Sequence, residues 1–399
     1  MRSGIRWTVL TVLTVLTVPT VPTVSAQAPD TAMVQGGIYQ RPFLITSGAT
    51  AVGGYAEGNA NYFRTDGIGD GFSMELRRFN IFLFSSVGRR LRFISELEFE
   101  HGVEEIALET ALVDFTINPS LILRGGILLA PIGAFNVNHD SPRYDFVDRP
   151  LVSTRIIPAT LSDVGFGAHG RLAPGGFSLS YDAYLVNGLG DGVLLNELGR
   201  TDLPSGKSES RFEEDNNGSP ALVGRIAAQS RRWGELGVSF YGGVYNRYRI
   251  EGETVDQKRW LSLYAVDFQT GLGPLDLRGE AAWARVNVPG DLSELMAGRQ
   301  WGVYFDAVLP VWHPRIRGLP NPTVSAGVRL ERVDWNQGTF ESTGLPIRDD
   351  LNAIVLSLSF RPIAGTVFRG NYRWESYRDA LGNPPSRTGG FQIGFATYF

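Results

Sequence analysis

Residues 91–100 read Leu-Arg-Phe-Ile-Ser-Glu-Leu-Glu-Phe-Glu, and apolar residues alternate with charged ones along most of this stretch. Successive side chains of an extended strand point to opposite faces. Leucine and phenylalanine therefore share one face, while arginine and glutamate occupy most of the other. The stretch predicts an amphipathic β-strand.

The same alternation recurs along the chain, most clearly in windows 177–185, 275–283, 300–309 and 324–331. Windows 73–87 and 258–269 are weaker, because apolar residues occur on both faces for part of their length. Counting such windows predicts about sixteen strands, to within two, and an even number is what bacterial outer-membrane barrels require.

A soluble β-sandwich also alternates, but two patterns favour a barrel. The polar face carries many long charged side chains, and no separate set of strands supplies a second apolar layer. The connections also alternate in length, as in outer-membrane barrels. We expect short turns at 87–90, 118–120, 173–176, 231–235, 271–274 and 362–365, and long loops at 64–72, 131–161, 187–219, 248–257, 286–299, 335–349 and 376–387.

The sequence therefore predicts an all-β fold, a transmembrane antiparallel β-barrel. One connection fits this pattern poorly, because the proline-containing segment 313–322 falls where a short turn is expected. The chain has no cysteine, which removes disulfides and thiolate metal sites, and a closed barrel supplies another stabilising network. A net charge of −4 does not indicate a nucleic-acid partner.

The N-terminus has the layout of a secretory signal peptide. Arg2 and Arg6 precede a mostly apolar stretch at 7–18, and Val24-Ser25-Ala26 provides a cleavage site. We expect cleavage after Ala26, an N-terminal periplasmic segment at 27–49 and a barrel at 50–399 in the cell outer membrane. An uncleaved anchor is the alternative.

The chain ends on an alternating stretch, Gly390-Phe-Gln-Ile-Gly-Phe-Ala-Thr-Tyr-Phe399. Tyrosine and phenylalanine suit a membrane–water interface. The aromatic ending resembles the C-terminal signal by which outer-membrane barrels are recognised. This resemblance implies two partners, the outer-membrane lipids and the barrel-assembly machinery, which would recognise the strand ending in Phe399.

Residues 121–170 carry a more specific likeness. A strand leads into Ala130-Pro-Ile-Gly133, and a long loop with Asp148-Arg-Pro150 and Ile156-Ile-Pro-Ala-Thr160 follows before Asp163-Val-Gly165 opens the next strand. This segment resembles the phosphate-selective porin O and P family. The resemblance implies a sixteen-stranded, usually homotrimeric porin whose third long loop, here 131–161, folds into the lumen.

The chain departs from that family in its basic residues. The family's best-known members handle anions with arginines and a cluster of lysines, whereas this chain has only Lys207 and Lys258 among its 37 basic residues. A lysine ring is therefore absent, and phosphate selectivity does not carry over. The abundance of arginine also fits a simple coding bias.

Arg143, Arg149 and Arg155 are the constriction candidates on loop 131–161, because guanidinium groups bind anions through two hydrogen bonds. In the alternative interpretation they pair with Asp140, Asp145, Asp148 or wall carboxylates and only hold the loop in place. From the wall, alternation adds Arg78, Arg92, Arg124 and Arg171 as anion-binding candidates.

The predicted lumen face has both signs of charge. It includes the arginines already named on the wall and Arg225, Arg278, Arg329, Arg369 and Arg373, together with Glu96, Glu98, Asp114, Asp163, Asp182, Asp276, Glu280, Asp306, Glu331 and Glu375. A mixed wall suits a hydrated, weakly selective pore, and its charges can also pair across strands.

Signals for catalysis or cofactors are weak. None of the four histidines has the spacing of metal ligands, so we expect no metal site, no cofactor and no enzyme activity. The leading hypothesis is a porin for passive diffusion of small hydrophilic solutes, with a mild preference for phosphate-like anions. The alternative is a non-pore barrel with a structural or adhesive role, and an outer-membrane hydrolase is a third class.

Overall fold

The computed structural model describes Arg41 and residues 50–69, 71–102, 104–173, 175–207, 212, 215, 217–292 and 294–399. The expected signal peptide, and the segment 27–49 apart from Arg41, lie outside the described residues. The barrel strands are β1 (Thr50–Thr65), β2 (Phe72–Val87), β3 (Leu91–Glu100), β4 (Glu105–Asn118), β5 (Leu121–Leu129), β6 (Ser162–Leu172), β7 (Phe177–Val186), β8 (Ala221–Ser230), β9 (Gly234–Val244), β12 (Trp260–Leu272), β13 (Leu275–Val286), β14 (Arg299–Trp312), β15 (Thr323–Asn336), β16 (Asp349–Ile363), β17 (Thr366–Arg378) and β18 (Ser386–Tyr398).

These sixteen strands form one closed antiparallel sheet within the described chain. Each pairs with its neighbours in sequence, and β1 pairs with β18 to close the ring. A separate two-stranded hairpin, β10 (Arg249–Ile250) and β11 (Glu253–Thr254), lies in the connection between β9 and β12. The predicted fold class and strand number are confirmed.

The barrel wall is apolar outside and polar inside. On β18, Phe391 is 63% exposed whereas its neighbour Gln392 is 2% exposed. On β17, Phe368 and Tyr372 are exposed, while Arg369 between them is buried in the lumen. This distribution inverts that of a water-soluble protein, in which the apolar face packs inward.

The strand connections have two lengths, as predicted. Those at one end, such as 88–90 and 119–120, are short, and the ten-residue connection 313–322 is the longest there. Those at the other end include 130–161 and 187–220, although the connection 101–104 is short. No helix in the described ranges is long and apolar enough to cross a membrane.

Several β-bulges interrupt the alternation of the wall, and two of them, on β2 and β4, add a residue that points into the lumen. Glu57 pairs with Arg78 but the next residue, Gly58, pairs with Leu76, which leaves Arg77 as an additional residue on β2. The register between β3 and β4 shifts in the same way and leaves Glu109 as an additional residue on β4. A bulge redirects the side chain of the additional residue.

The connection 130–161, called here the inner loop, lies inside the barrel and contains α1 (Gly133–Asn136) and α2 (Leu151–Arg155). The side chain of Asn136 joins the two ends of this loop. Its Nδ2 donates to the carbonyl oxygens of Ala130 and Leu161, and its Oδ1 accepts from the Leu161 amide. The predicted insertion of the third loop into the lumen is confirmed.

Candidate functional site

The inner loop crosses the lumen because polar groups of the opposite wall hold both of its helices. Glu280 on β13 accepts a hydrogen bond from the Phe135 amide over 3.1 Å and one from Ser153 Oγ over 2.7 Å. The Leu151 amide donates to Glu331 on β15 over 2.7 Å. A buried hydrogen bond is costly to leave unmade, so these contacts fix the loop across the barrel.

Arginines of the wall bind the middle of the inner loop. Arg361 donates to Oδ1 of Asp145 over 3.1 Å. Arg369 donates to the Phe146 carbonyl over 2.8 Å, and Arg329 donates to the Asp148 carbonyl over the same distance. The loop therefore contributes mainly acceptors to these contacts, and the wall contributes the cations.

Asp148 is the meeting point of the inner loop with three strands. Its carboxylate accepts from Arg77 over 2.9 Å and from Gln392 over 2.8 Å, and it lies 3.8 Å from Arg373. Burial by itself would raise the pKa of the Asp148 carboxyl, but the guanidinium groups of Arg77 and Arg373 outweigh burial and lower it. Asp148 is therefore a carboxylate at neutral pH.

A cavity of about 540 Å³ lies beside this junction, and we call it the arginine cavity. It lies between α2 of the inner loop and the walls of β1, β2, β17 and β18. Five arginines and two carboxylates line it, together with apolar and threonine side chains: Phe63, Arg77, Arg78, Asp148, Arg149, Leu151, Thr154, Arg155, Arg373, Glu375 and Thr388. Its net formal charge is positive.

A second, much smaller cavity of about 10 Å³ lies against the inner loop and shares part of this lining. Arg78, Asp148 and Arg149 line both cavities. These three shared residues place the two cavities next to each other along the inner loop.

Arg149 and Arg155 have fewer anionic partners than the other cavity arginines. Arg149 donates to Thr160 Oγ1 over 3.2 Å, and its remaining Nη2 lies 3.8 Å from Glu98. Arg155 ends α2 with an exposed side chain and forms no ion pair with any residue that the structure describes. A guanidinium without a carboxylate partner retains donors for a solute anion.

The other predicted site residues lie in different surroundings. Arg78 lines both cavities but is held by Glu57 at 3.0 Å and Glu100 at 2.7 Å. Arg143 lies on the inner loop, where its Nε donates to Tyr398 over 2.9 Å, so it fastens the loop to β18.

Three further predicted residues lie on the wall away from the arginine cavity. Arg124 makes a two-pronged ion pair with Asp114 on the neighbouring strand. Arg92 donates to Thr116 over 3.3 Å, and Arg171 is exposed next to a short turn. The structure therefore groups Arg78, Arg149 and Arg155 but not Arg92, Arg124, Arg143 or Arg171 around one cavity.

Sequence reasoning missed Arg77 and Glu109 because both are bulge residues. A strict period of two assigns Arg77 to the outer face, but the bulge turns it into the lumen beside Asp148. Glu109 likewise points inward and lies 3.0 Å from Nε2 of His139. No local pattern in the sequence marks either bulge.

His139 of the inner loop is held as a cation. Its Nδ1 lies 3.0 Å from the Asn136 carbonyl and its Nε2 lies 3.0 Å from Glu109, so both ring nitrogens face acceptors and carry protons. Burial alone would lower the pKa of the imidazole, but Glu109 and Glu96 outweigh burial and raise it to about 10. Atoms of His139, Glu96 and Asp140 lie within 4.8 Å of one another.

The connection between β7 and β8 covers part of the barrel mouth, and residues 187–207 of it are called here the mouth loop. Gln300 on β14 donates to the Thr201 carbonyl over 2.7 Å. Arg200 lies 3.0 Å from Asp349 on β16 and 4.9 Å from the ring of Trp335. The mouth loop therefore reaches the far wall, which the sequence did not predict.

Solved structures similar to this chain include outer-membrane porins and channels. The anion-selective porin from Comamonas acidovorans aligns with a TM-score of 0.55 and 12% identity over 88% of this chain and 99% of that one. OprB of Pseudomonas putida aligns with a TM-score of 0.54 and 10% identity over 88% of this chain and 94% of that one. The outer-membrane channel DcaP of Acinetobacter baumannii aligns with a TM-score of 0.52 and 12% identity over 89% of this chain and 99% of that one. At these identities the likeness shows the fold alone.

Sequence comparison does not assign the chain to a family. No family model matches the chain. An uncharacterised protein of Aquifex aeolicus is 36% identical over 146 residues, which are 35% of this chain and 32% of that protein. The aligned part thus spans about a third of that relative. The likeness of residues 121–170 to phosphate-selective porins stays a prediction.

Proposed function

We propose that this protein is an outer-membrane porin through which small hydrophilic solutes diffuse passively. The observation that carries the proposal is the narrowed lumen, in which the inner loop crosses a closed polar interior and leaves the arginine cavity beside it. A hydrated path with an internal constriction is the structure that such a pore requires.

The exterior supports a membrane location. Exposed apolar and aromatic side chains surround the barrel, including Phe166, Leu222, Trp283 and Ile354. A surface of this kind is unfavourable in water and suits a lipid bilayer. A closed barrel also satisfies the backbone hydrogen bonds of the strands without water.

A mild preference for anions of the phosphate type belongs to the same proposal. Arg149 and Arg155 face the arginine cavity with donors that no described carboxylate fully satisfies. Asp148 and Glu375 on the same cavity reduce the positive potential, so we expect weak rather than steep selectivity.

Reconstitution of the mature protein in a planar lipid bilayer tests the proposal. We expect stepwise conductance increments and, in a salt gradient, a reversal potential displaced toward that of the anion. A correctly folded, heat-modifiable barrel that produces no conductance steps would reject the pore.

A non-pore barrel with a structural or adhesive role is the second candidate, and the mouth loop favours it. That loop is tied to the opposite wall through Gln300 and Arg200, and Lys207 at its end donates to the Thr160 carbonyl of the inner loop over 3.4 Å. Two loops therefore contact each other and the wall across the lumen. The bilayer experiment separates the candidates, since a blocked barrel inserts without conducting.

The remaining parts of the proposal concern assembly and processing. Phe399 is 56% exposed and stacks on Phe79 with ring centres 5.4 Å apart, which leaves it accessible to the barrel-assembly machinery. We propose a homotrimer, which light scattering of the detergent-solubilised protein tests. Mass spectrometry of the mature chain tests cleavage after Ala26, and a lipase assay tests the proposed absence of catalysis.

A further inference from the structure

Arg41 lies inside the barrel and is only 3% exposed. Its Nε and Nη2 donate to the two carboxylate oxygens of Asp140 over 3.0 and 2.9 Å. Nη2 also lies 2.8 Å from Glu96 on β3. The guanidinium carbon is 3.4 Å from the ring centre of Phe82 on β2. The carboxylates therefore bind the edge of the guanidinium, and the phenyl ring packs against its face.

The groups around Arg41 are shaped for a planar cation. A carboxylate in the plane of a guanidinium accepts two parallel hydrogen bonds, which a lysine ammonium does not reproduce. Tyr398 also donates to Asp140 over 2.7 Å, and Asn80 donates to Glu96 over 2.8 Å. These donors hold the two carboxylates in position next to the guanidinium.

Arg41 belongs to a different part of the chain from every group that binds it. It is separated from Asp140 by 99 positions and from Glu96 by 55. In the sequence Arg41 precedes β1, whose first residue, Thr50, lies at the barrel end with the short turns. A residue that comes before the first strand therefore contacts the inner loop.

We propose that Asp140, Glu96 and the ring of Phe82 form a guanidinium-binding site in the lumen, which Arg41 fills as a tethered ligand. Filling the site joins the inner loop to β2 and β3. Without Arg41 the two buried carboxylates lose the cation that binds both of them directly and keep only His139 close to both, which is unfavourable in a low-dielectric interior. An added guanidinium ion then takes the vacant place.

Chemical rescue tests the site without requiring a pore. Relative to the unaltered protein, Arg41→Ala lowers the temperature at which the heat-modifiable barrel unfolds in detergent. Millimolar guanidinium chloride restores most of this loss, whereas urea, which is similar in shape but uncharged, and sodium chloride at equal ionic strength do not. Arg89→Ala, at an exposed arginine of a short turn, shows neither the loss nor the rescue.

The result that overturns the proposal is an Arg41→Ala barrel that unfolds at the original temperature, or one that responds equally to guanidinium and to sodium. In bilayers the same variant shows more frequent conductance fluctuations, which guanidinium suppresses. This second readout rests on the proposed function, whereas the thermal readout does not, so failure of one is distinguishable from failure of the other.

A second variant covers the case in which Arg41→Ala does not fold. The chain has no cysteine, so Arg41→Cys places a single thiol at the site. The cationic reagent 2-aminoethyl methanethiosulfonate and the anionic 2-sulfonatoethyl reagent are compared at this thiol and at an exposed control thiol, Arg89→Cys. The ratio of cationic to anionic rates is roughly tenfold higher at position 41, because Asp140 and Glu96 attract one reagent and repel the other. Equal ratios at the two thiols, or no reaction of the thiol at position 41 with either reagent, would contradict the site.

Discussion

Arg77 and Asp148 form an ion pair in which Nη1 donates to Oδ1 over 2.9 Å, and this pair joins β2 to the inner loop. Arg77 is the additional residue of a β-bulge, so one inserted position in a strand determines where the loop is held. The same carboxylate lies 3.8 Å from Arg373 on β17. Asp148 therefore helps to hold the loop in place and contributes a negative charge to the arginine cavity.

Asp148→Asn should increase the preference for anions. Removing one negative charge about 4 Å from a permeating ion changes its energy by about 1 kcal/mol in water, or roughly fivefold in the permeability ratio. Because the pKa of Asp148 is lowered, the difference between the variant and the unaltered protein should persist as the pH falls from about 7 to about 5. Reversal potentials in a salt gradient measure both effects, and a shift toward cations in the variant would refute the assignment.

Combined Arg149→Gln and Arg155→Gln should move the reversal potential toward cations. Both side chains line the arginine cavity, and glutamine keeps much of their length while removing the charge. Arg171→Gln is the matched control, because that exposed arginine lies beside a short turn. If the double variant and the control give the same potential, the constriction lies elsewhere.

His139 should make the barrel less stable at alkaline pH. Its pKa in the folded protein is about 10, above the ordinary value of 6.5, so folding is favoured by proton binding. The stabilisation is complete below about pH 6.5 and is lost as the pH rises to about 10, with a slope of about 1.4 kcal/mol per pH unit. The unfolding temperature in detergent, measured across this range, reports the slope.

The matched variant for this pH dependence is His139→Gln, which keeps a hydrogen-bond donor but does not titrate. Its unfolding temperature should be lower than that of the unaltered protein below pH 6.5, and the difference should shrink as the pH rises. An identical pH profile for the two proteins would mean that His139 is neutral in the folded barrel.

Glu280→Gln should loosen the inner loop. One of the two acceptor oxygens that bind Phe135 and Ser153 becomes an amide nitrogen, which cannot accept. Loss of a buried hydrogen bond of this kind costs about 1–3 kcal/mol. Single-channel recordings should show a larger or noisier conductance, while Glu253→Gln in the exposed hairpin β10–β11 should behave as the unaltered protein.

Alternation predicted the barrel because its wall obeys a period of two over most of its length. That pattern placed Arg78 and Glu96 inside, as the structure has them. It failed at Arg77, since a bulge depends on pairing with the neighbouring strand rather than on local sequence. Arg41 left no local signal either, because its partner Asp140 is 99 positions away.

The candidate site was predicted less completely than the fold. The sequence indicates Arg149 and Arg155 because they lie on a loop expected in the lumen, and the structure puts both on one cavity. Arg143 has the same residue type on the same loop but faces Tyr398 instead. Only the path of the loop across the barrel distinguishes them, and that path follows from contacts with distant strands such as that of Glu280 on β13.

The pairing of β1 with β18 has a consequence for biogenesis. Residues from Tyr55 to Thr65 find their second partner only in the last strand, Ser386–Tyr398. A nascent chain released before that strand would expose two unpaired edges, each able to recruit strands from other molecules. Insertion is therefore expected to follow translation of the whole polypeptide, and premature termination should produce aggregation-prone material for periplasmic chaperones and proteases to remove.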